Sequence, residues 1–134
     1  MNTLATTIEQ SKHLLKLGLD PNTGDMNWFG NEKIGVPYDL ELLSYKKRSM
    51  YHHCLPAWSL SALLEVMPTN IGDYDLYVTK HRYVDGGHGY NVEYNRGFTI
   101  SVLHKETNRD LVTAVYEMVC WLLEQGYIKG GCEQ

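Results

Sequence analysis

The chain has 134 residues, 43% of them hydrophobic and 21% charged, with a formal net charge of −4. That length suits one domain whose core buries roughly two-thirds of the unfolded surface without a metal or a disulfide. The mildly acidic balance lacks the basic footprint that a phosphate backbone demands, which argues against nucleic acid, and no apolar run approaches the roughly 20 residues that span a bilayer.

Cys54, Cys120 and Cys132 are an odd number without CxxC spacing and read as reduced thiols. The N-terminal Met-Asn-Thr-Leu-Ala-Thr-Thr has neither the basic nor the apolar segment of a signal peptide, so a cytoplasmic protein is expected. Ten Tyr and three Trp stand against two Phe, and such amphipathic rings suit sheet edges and recognition surfaces.

A first helix is predicted over residues 6–19. Thr6 and Glu9 have capping-box spacing, Ile8, Leu14 and Leu15 gather on one side, and Gly18 is placed for a left-handed C-terminal residue. Asp20-Pro21-Asn22-Thr23-Gly24-Asp25 then has turn chemistry at nearly every position, but it lacks the glycine and the twelfth-position Glu of an EF-hand loop. Residues 26–55 read as irregular, broken by Gly30, Gly35 and Pro37. Within them Asp39 suits the cap of a short helix carrying Leu40, Leu43 and Met50 inward, while Leu40 and Leu42 also fit strand alternation; the helix is preferred. Lys46-Lys47-Arg48 is short enough to be a solvated helix end.

Residues 59–67 predict a short helix. Ser59 is its cap, Trp58 can staple onto Leu63, Leu60, Leu63, Leu64 and Met67 make the buried stripe, and Pro68 ends it. Residues 75–105 predict a three-stranded antiparallel meander. Tyr90, Val92 and Tyr94 alternate with Asn91, Glu93 and Asn95, and Phe98, Ile100 and Val102 are expected inward. On the first strand Leu76 and Val78 match the inward set, whereas Tyr77, His81 and Tyr83 fall on the other face. The last helix is predicted over 109–125, capped by Asn108 and stopped at Gly126. Its polar stripe of Asp110, Thr113, Glu117 and Glu124 is narrow, so it is buried on more than one side or forms a dimer through Asp110–Gln125. Trp121 projects about 40° from Glu117 and must be covered by another segment or another subunit or stay half exposed. The fold class expected is α+β: the meander packed on one face by the N-terminal helices and the long C-terminal helix.

No stretch carries a catalytic signature. His52-His53-Cys54 has no later Cys or His at zinc spacing, so no metal is expected and no cofactor is implied. Asp85-Gly86-Gly87-His88-Gly89 joins two strands without a Walker lysine or a following helix, and reads as a hairpin connection. Cys120, on an apolar helix, is simplest as an inert buried thiol. Enzyme activity is therefore not expected. The candidate binding residues are the aromatic groups and histidines of the irregular segment and the sheet: Trp28, Phe29, His52, His53, Tyr77, His81, Tyr83 and His88.

Three segments carry a resemblance: Ala5-Thr-Thr-Ile-Glu-Gln-Ser-Lys onward to Asp25-Met26, Pro56-Ala-Trp-Ser-Leu-Ser-Ala-Leu-Leu-Glu-Val-Met-Pro68, and Tyr116-Glu-Met-Val-Cys-Trp-Leu-Leu-Glu onward to Ile128. Together they resemble a group of small proteins from gut Bacteroidales that are often encoded in prophages and other mobile elements. The resemblance brings no activity and no site residue; it implies an accessory protein of a phage or mobile element. The leading expectation is a non-catalytic protein-binding or regulatory module that engages a host or phage protein. Two alternatives stay open. One is a small-molecule or nucleotide binder or enzyme with a site between the sheet and residues 26–55; the other is a structural homodimer.

Overall fold

The computed structural model describes residues 4–31, 35–42, 54–97 and 101–128. In chain order these form α1 (Ile8–Lys16), a single 3-10 turn (Pro21–Thr23), β1 (Met26–Asn31), β2 (Val36–Leu42), β3 (Cys54–Ala57), α2 (Leu60–Val66), β4 (Asn70–Ile71), β5 (Tyr74–Arg82), β6 (His88–Asn95), β7 (Val102–Asn108) and α3 (Leu111–Gln125). The fold is mixed α/β, with three helices and two antiparallel sheets among the described residues.

α1 begins two residues later than predicted, because a different threonine caps it. Thr7 Oγ1 accepts from the Gln10 N–H at 3.1 Å, and Gln10 Oε1 accepts from the Thr7 N–H at 2.9 Å, a complete capping box one position along from the predicted Thr6 and Glu9. Thr6 is withheld from capping by tertiary contacts. It is fully buried, its hydroxyl accepts the Trp58 N–H at 3.0 Å and meets Ser11 Oγ at 2.8 Å, and its N–H donates to the Trp58 carbonyl at 2.9 Å. At the far end Gly18 has a φ of 97°, Gly18 N–H donates to Leu15 O and Leu19 N–H to Leu14 O, each at 3.0 Å. This pair of hydrogen bonds turns Leu19 back into the core.

The described parts of residues 26–55, expected to be irregular, are strands. β1 lies between β2 and β3 in a sheet of order β2-β1-β3, with Trp28 paired to Leu40 on one side and Leu55 on the other. The preferred helix from Asp39 is overturned: Asp39 and Leu40 are inside β2, and Leu43 and Met50 lie outside the described residues, as does Lys46-Lys47-Arg48. Pro37 is compatible because β2 is an edge strand, where a missing N–H donor breaks no ladder.

α2 is held by its predicted cap and by a second group the sequence does not advertise. Ser59 Oγ accepts from the Ala62 N–H at 3.3 Å, while Asp25 takes both the Ser59 N–H, at 2.9 Å, and the Ser59 hydroxyl. Met67, ahead of Pro68, is extended with ψ 137°, which ends the helix. Leu63 and Met67 are buried, but Leu64 is 36% exposed and leaves the predicted stripe.

The second sheet has four strands in the order β4-β5-β6-β7 rather than three. Its last strand runs on to Asn108, and a register shift between Tyr94 and Asn95 pairs Tyr94 with His104 but Asn95 with Val102. The extra residue on β7 reverses the facing of Val102 relative to His104, and Val102 is 43% exposed instead of inward. Phe98 and Ile100 lie outside the described residues.

α3 packs on β6 and β7, α2 packs on α3, and α1 contacts β3 of the other sheet. Asp110, not Asn108, caps α3 by accepting from the Thr113 N–H at 2.9 Å; Asn108 Oδ1 accepts the Asp110 N–H one step earlier. Gly126, at φ 82°, closes the helix. Val115, Met118, Val119 and Leu122 of α3 are fully buried with Val92, Tyr94, Trp58, Leu63 and Leu14 in one core. The sheet and α2 both pack on this apolar helix.

Candidate functional site

The face of the four-stranded sheet away from α3 is set by alternation. Leu76 and Val78 pair with Tyr94 and Val92 on the α3 side, so Tyr77, Thr79 and His81 fall opposite, beside Glu93, Asn91 and Gly89. Tyr83 continues that row just past β5, its ring edge-on to His81 at a centroid separation of 4.6 Å. β7 adds Lys105 opposite Glu93 and Thr107 opposite Asn91, the latter pair joined by a 2.8 Å hydrogen bond from Thr107 Oγ1 to Asn91 Oδ1. The result is a half-exposed surface of two tyrosines and an imidazole with a polar surround.

Its end is built by the hairpin between β5 and β6. The Arg109 guanidinium lies 4.2 Å over the Tyr83 ring and donates to Asp85 Oδ2 at 2.8 Å, while Asp85 Oδ1 accepts the Gly87 N–H at 2.9 Å. The Gly87 N–H first, and Arg109 second, hold the Asp85 carboxyl below its ordinary range. Two glycines are required for separate reasons. Gly86 has a φ of 91°, and a Cβ on Gly89 would lie 2.2 Å from the Tyr83 hydroxyl, so the ring rests on bare backbone. His81 Nδ1 is buried on this surface without a hydrogen-bond partner among the described residues.

Among the described residues, the other candidates do not join this surface. Trp28 is on β1 of the other sheet and donates its indole N–H to the Thr6 carbonyl at 3.0 Å, an internal tie. Phe29 is half-buried beside it, paired with Asp39 and Cys54. His88 is exposed and pairs with Arg82, on the opposite side of the sheet from His81. His52 and His53 lie outside the described residues. Among the described residues no group of three His, Cys, Asp or Glu is placed to hold a metal ion.

A second cluster, between β7 and α3, was not visible in the sequence. Three positions of β7 on the side facing the helix are polar, His104, Glu106 and Asn108, opposite Tyr94, Val92 and Tyr90, while Leu103 at the register shift packs against the core. His104 Nε2 is 2.6 Å from Glu106 Oε2, and its ring stacks on Trp121 with centroids 4.1 Å apart and planes 1° from parallel. His104 and Tyr127, whose ring is 5.6 Å from the indole, are the cover that Trp121 requires. One turn along α3, Glu117 is raised above its ordinary value by burial and then by the Glu106 carboxylate, with Asn108 opposing the rise. A period of two carried past residue 105 is the signal that locates these side chains, but the β7 register shift decides their face.

The Glu117 shift has a consequence for stability. Below an ordinary carboxyl value of 4.5 the group is protonated in both states and carries no penalty. As pH rises through that value and then through the higher native one, the unfolded chain releases its proton first, so stability falls. Glu117→Gln is expected to remove this decline: urea midpoints of variant and wild type should coincide near pH 4 and separate in favour of the variant as pH rises, by roughly the ordinary scale of a carboxyl titration. A variant that loses ground with rising pH would show that Glu117 is stabilising when ionised.

Cys120 lies in the same helix. Burial raises its thiol to about 11, which leaves it protonated and unreactive near neutral pH.

No helix among the described residues is long and apolar enough to cross a membrane. Compared with protein-family models, curated proteins and solved structures, the chain matches none.

Proposed function

We propose that this chain is a non-catalytic protein-binding or regulatory module that engages a host or phage protein through the sheet face bearing Tyr77, His81 and Tyr83. The observation that carries the reading is the surface itself: two tyrosines and an imidazole in one row, with the Arg109 guanidinium stacked on Tyr83. Tyr and Arg are the side chains that dominate interface energetics, since they combine a large rigid contact with directional hydrogen bonds. The three-segment resemblance supports a cytoplasmic accessory role in a phage or mobile element.

A photo-crosslinking residue at Thr79, in the middle of the row, is expected to capture one partner in cells that carry the gene. The same residue at Leu64 on α2 is expected to capture none. Tyr83→Ala should weaken binding of that partner by about 30-fold, the effect of losing about 2 kcal/mol at an interface hot spot. Equal labelling from Thr79 and Leu64 would remove the reading.

One observation favours a second reading, a small-molecule binder or enzyme: the Glu106 and Glu117 carboxyls lie together beside His104, which gives an acid and a base in contact. Chemical-shift changes confined to His104, Glu106, Glu117 and Trp121 during a metabolite screen would support it.

A further inference from the structure

β5 is longer than the strand that covers it. β4 pairs only Asn70 with Asp75 and Ile71 with Tyr74, so from Leu76 onward β5 is the edge of the sheet. The Leu76 N–H reaches the Thr69 carbonyl at 3.0 Å, on the side away from β6, and the Tyr83 N–H is bonded to Gly87 within the hairpin. Backbone groups of alternate residues in an antiparallel strand point the same way. Val78, Lys80 and Arg82 therefore share the phase of Leu76 and aim their N–H and C=O groups at the open edge.

The side chains along that edge have a definite chemistry. Val78 is 41% exposed, and Lys80 and Arg82 are exposed with no carboxylate partner among the described residues. Among the described residues, Lys80 lies over the Tyr90 ring, 6.0 Å from its centroid. The opposite edge of the sheet is different in kind: Lys105 there is followed by Glu106, which is held by His104, and α3 packs against the strand. One edge thus combines free backbone bonds, an apolar position and two unpaired cations, on a chain whose net charge is −4.

We propose that the β5 edge takes up an extended acidic peptide by strand addition, with backbone bonds to Val78, Lys80 and Arg82 and carboxylates placed opposite Lys80 and Arg82. Backbone pairing supplies the affinity in such contacts and the alternating side chains supply the selection. The inference rests on the protein-binding reading and names the kind of partner segment. Lysine on an exposed edge also protects against sheet-to-sheet aggregation, and that role alone is the outcome the test must distinguish.

The test uses the full-length, isotope-labelled protein and a capped peptide of sequence Glu-Thr-Glu-Thr-Val-Tyr. Bound antiparallel, it sets its two Glu residues opposite Arg82 and Lys80 and its Val opposite Val78. Saturable amide shifts and slowed exchange are expected at Val78, Lys80 and Arg82, with none along β7. The double variant Lys80→Glu, Arg82→Glu should weaken binding about tenfold or more, because each opposed pair changes from attraction to repulsion. The same peptide N-methylated at its Glu and Val residues keeps its charge but cannot pair, and is expected not to bind.

No saturable shift at β5, or equal binding of the N-methylated peptide, overturns the proposal. An aggregating double variant together with a wild type that ignores the peptide shows that the cations only guard the edge. If the peptide fails while Thr79 still crosslinks to a partner, the edge assignment falls and the protein-binding reading stands. If the peptide binds while Thr79 labels nothing, the sheet-face assignment falls instead.

Discussion

Trp58→Ala is expected to lower the unfolding free energy by about 3–5 kcal/mol, the range for removing a large buried aromatic side chain. Trp58 is fully buried in the main core and is also the point where three segments are tied together. Its backbone exchanges bonds with Thr6 ahead of α1, its indole N–H donates to Thr23 Oγ1 at 2.9 Å, and Ser59 next to it caps α2. A domain of this size has about 5–15 kcal/mol in total, so the variant is expected to be partly unfolded or close to it at 37 °C. Trp58→Phe keeps most of the ring volume but leaves Thr23 Oγ1 without its donor, and should lose appreciably less. Urea denaturation followed by far-UV circular dichroism measures both. A Trp58→Ala loss below about 1 kcal/mol would mean that the core closes over the gap and that Trp58 is not the tie described.

Thr6→Val is expected to cost about 2 kcal/mol although it removes one oxygen and hardly changes the shape. The Thr6 hydroxyl serves two buried groups, the Trp58 N–H at 3.0 Å and Ser11 Oγ at 2.8 Å, and both lose a partner where water does not reach. Leaving a buried donor unmatched is more damaging than the net worth of the bond, because its hydration was already given up on folding. Thr6→Ser retains the hydroxyl and should recover most of the loss. If Thr6→Val and Thr6→Ser were equally destabilised, packing of the methyl group rather than the hydroxyl would be the controlling interaction. Thr7→Ala, at the actual cap, provides a comparison of about 1 kcal/mol.

The same residues show where reading the chain succeeds and where it slips. Capping signals around α1 were legible to within one position. Two adjacent threonines, Thr6 and Thr7, are followed three residues later by Glu9 and Gln10, so both frames satisfy the pattern. The choice between them is made by Trp58, which is far away in sequence and claims Thr6. On the sheet, the placement of Tyr77, His81 and Tyr83 away from the α3 side followed from a period of two. The stacking of Arg109 on Tyr83 did not, because the two are joined only by the geometry of the hairpin. The cluster of His104, Glu106 and Glu117 was hidden for a related reason: the residues belong to a strand and a helix, and the register shift on β7 turns the strand residues toward the helix.

By itself the sequence determined where the helices stop, the Ser59 cap and the alternation of β6. Gly18, Ser59, Pro68 and Gly126 act through bonds and backbone angles within a turn of their own position, although Asp25 adds a distant hold on Ser59. Only the tertiary structure decided that β1, β2 and β3 form a sheet, that a fourth strand joins the meander, that Leu64 faces out and that β7 turns polar side chains inward. Each of these depends on a ladder or a packing partner supplied from elsewhere in the chain. A strand leaves its backbone bonds to be completed by a neighbour, and a one-residue shift in that neighbour reverses the face of every side chain beyond it.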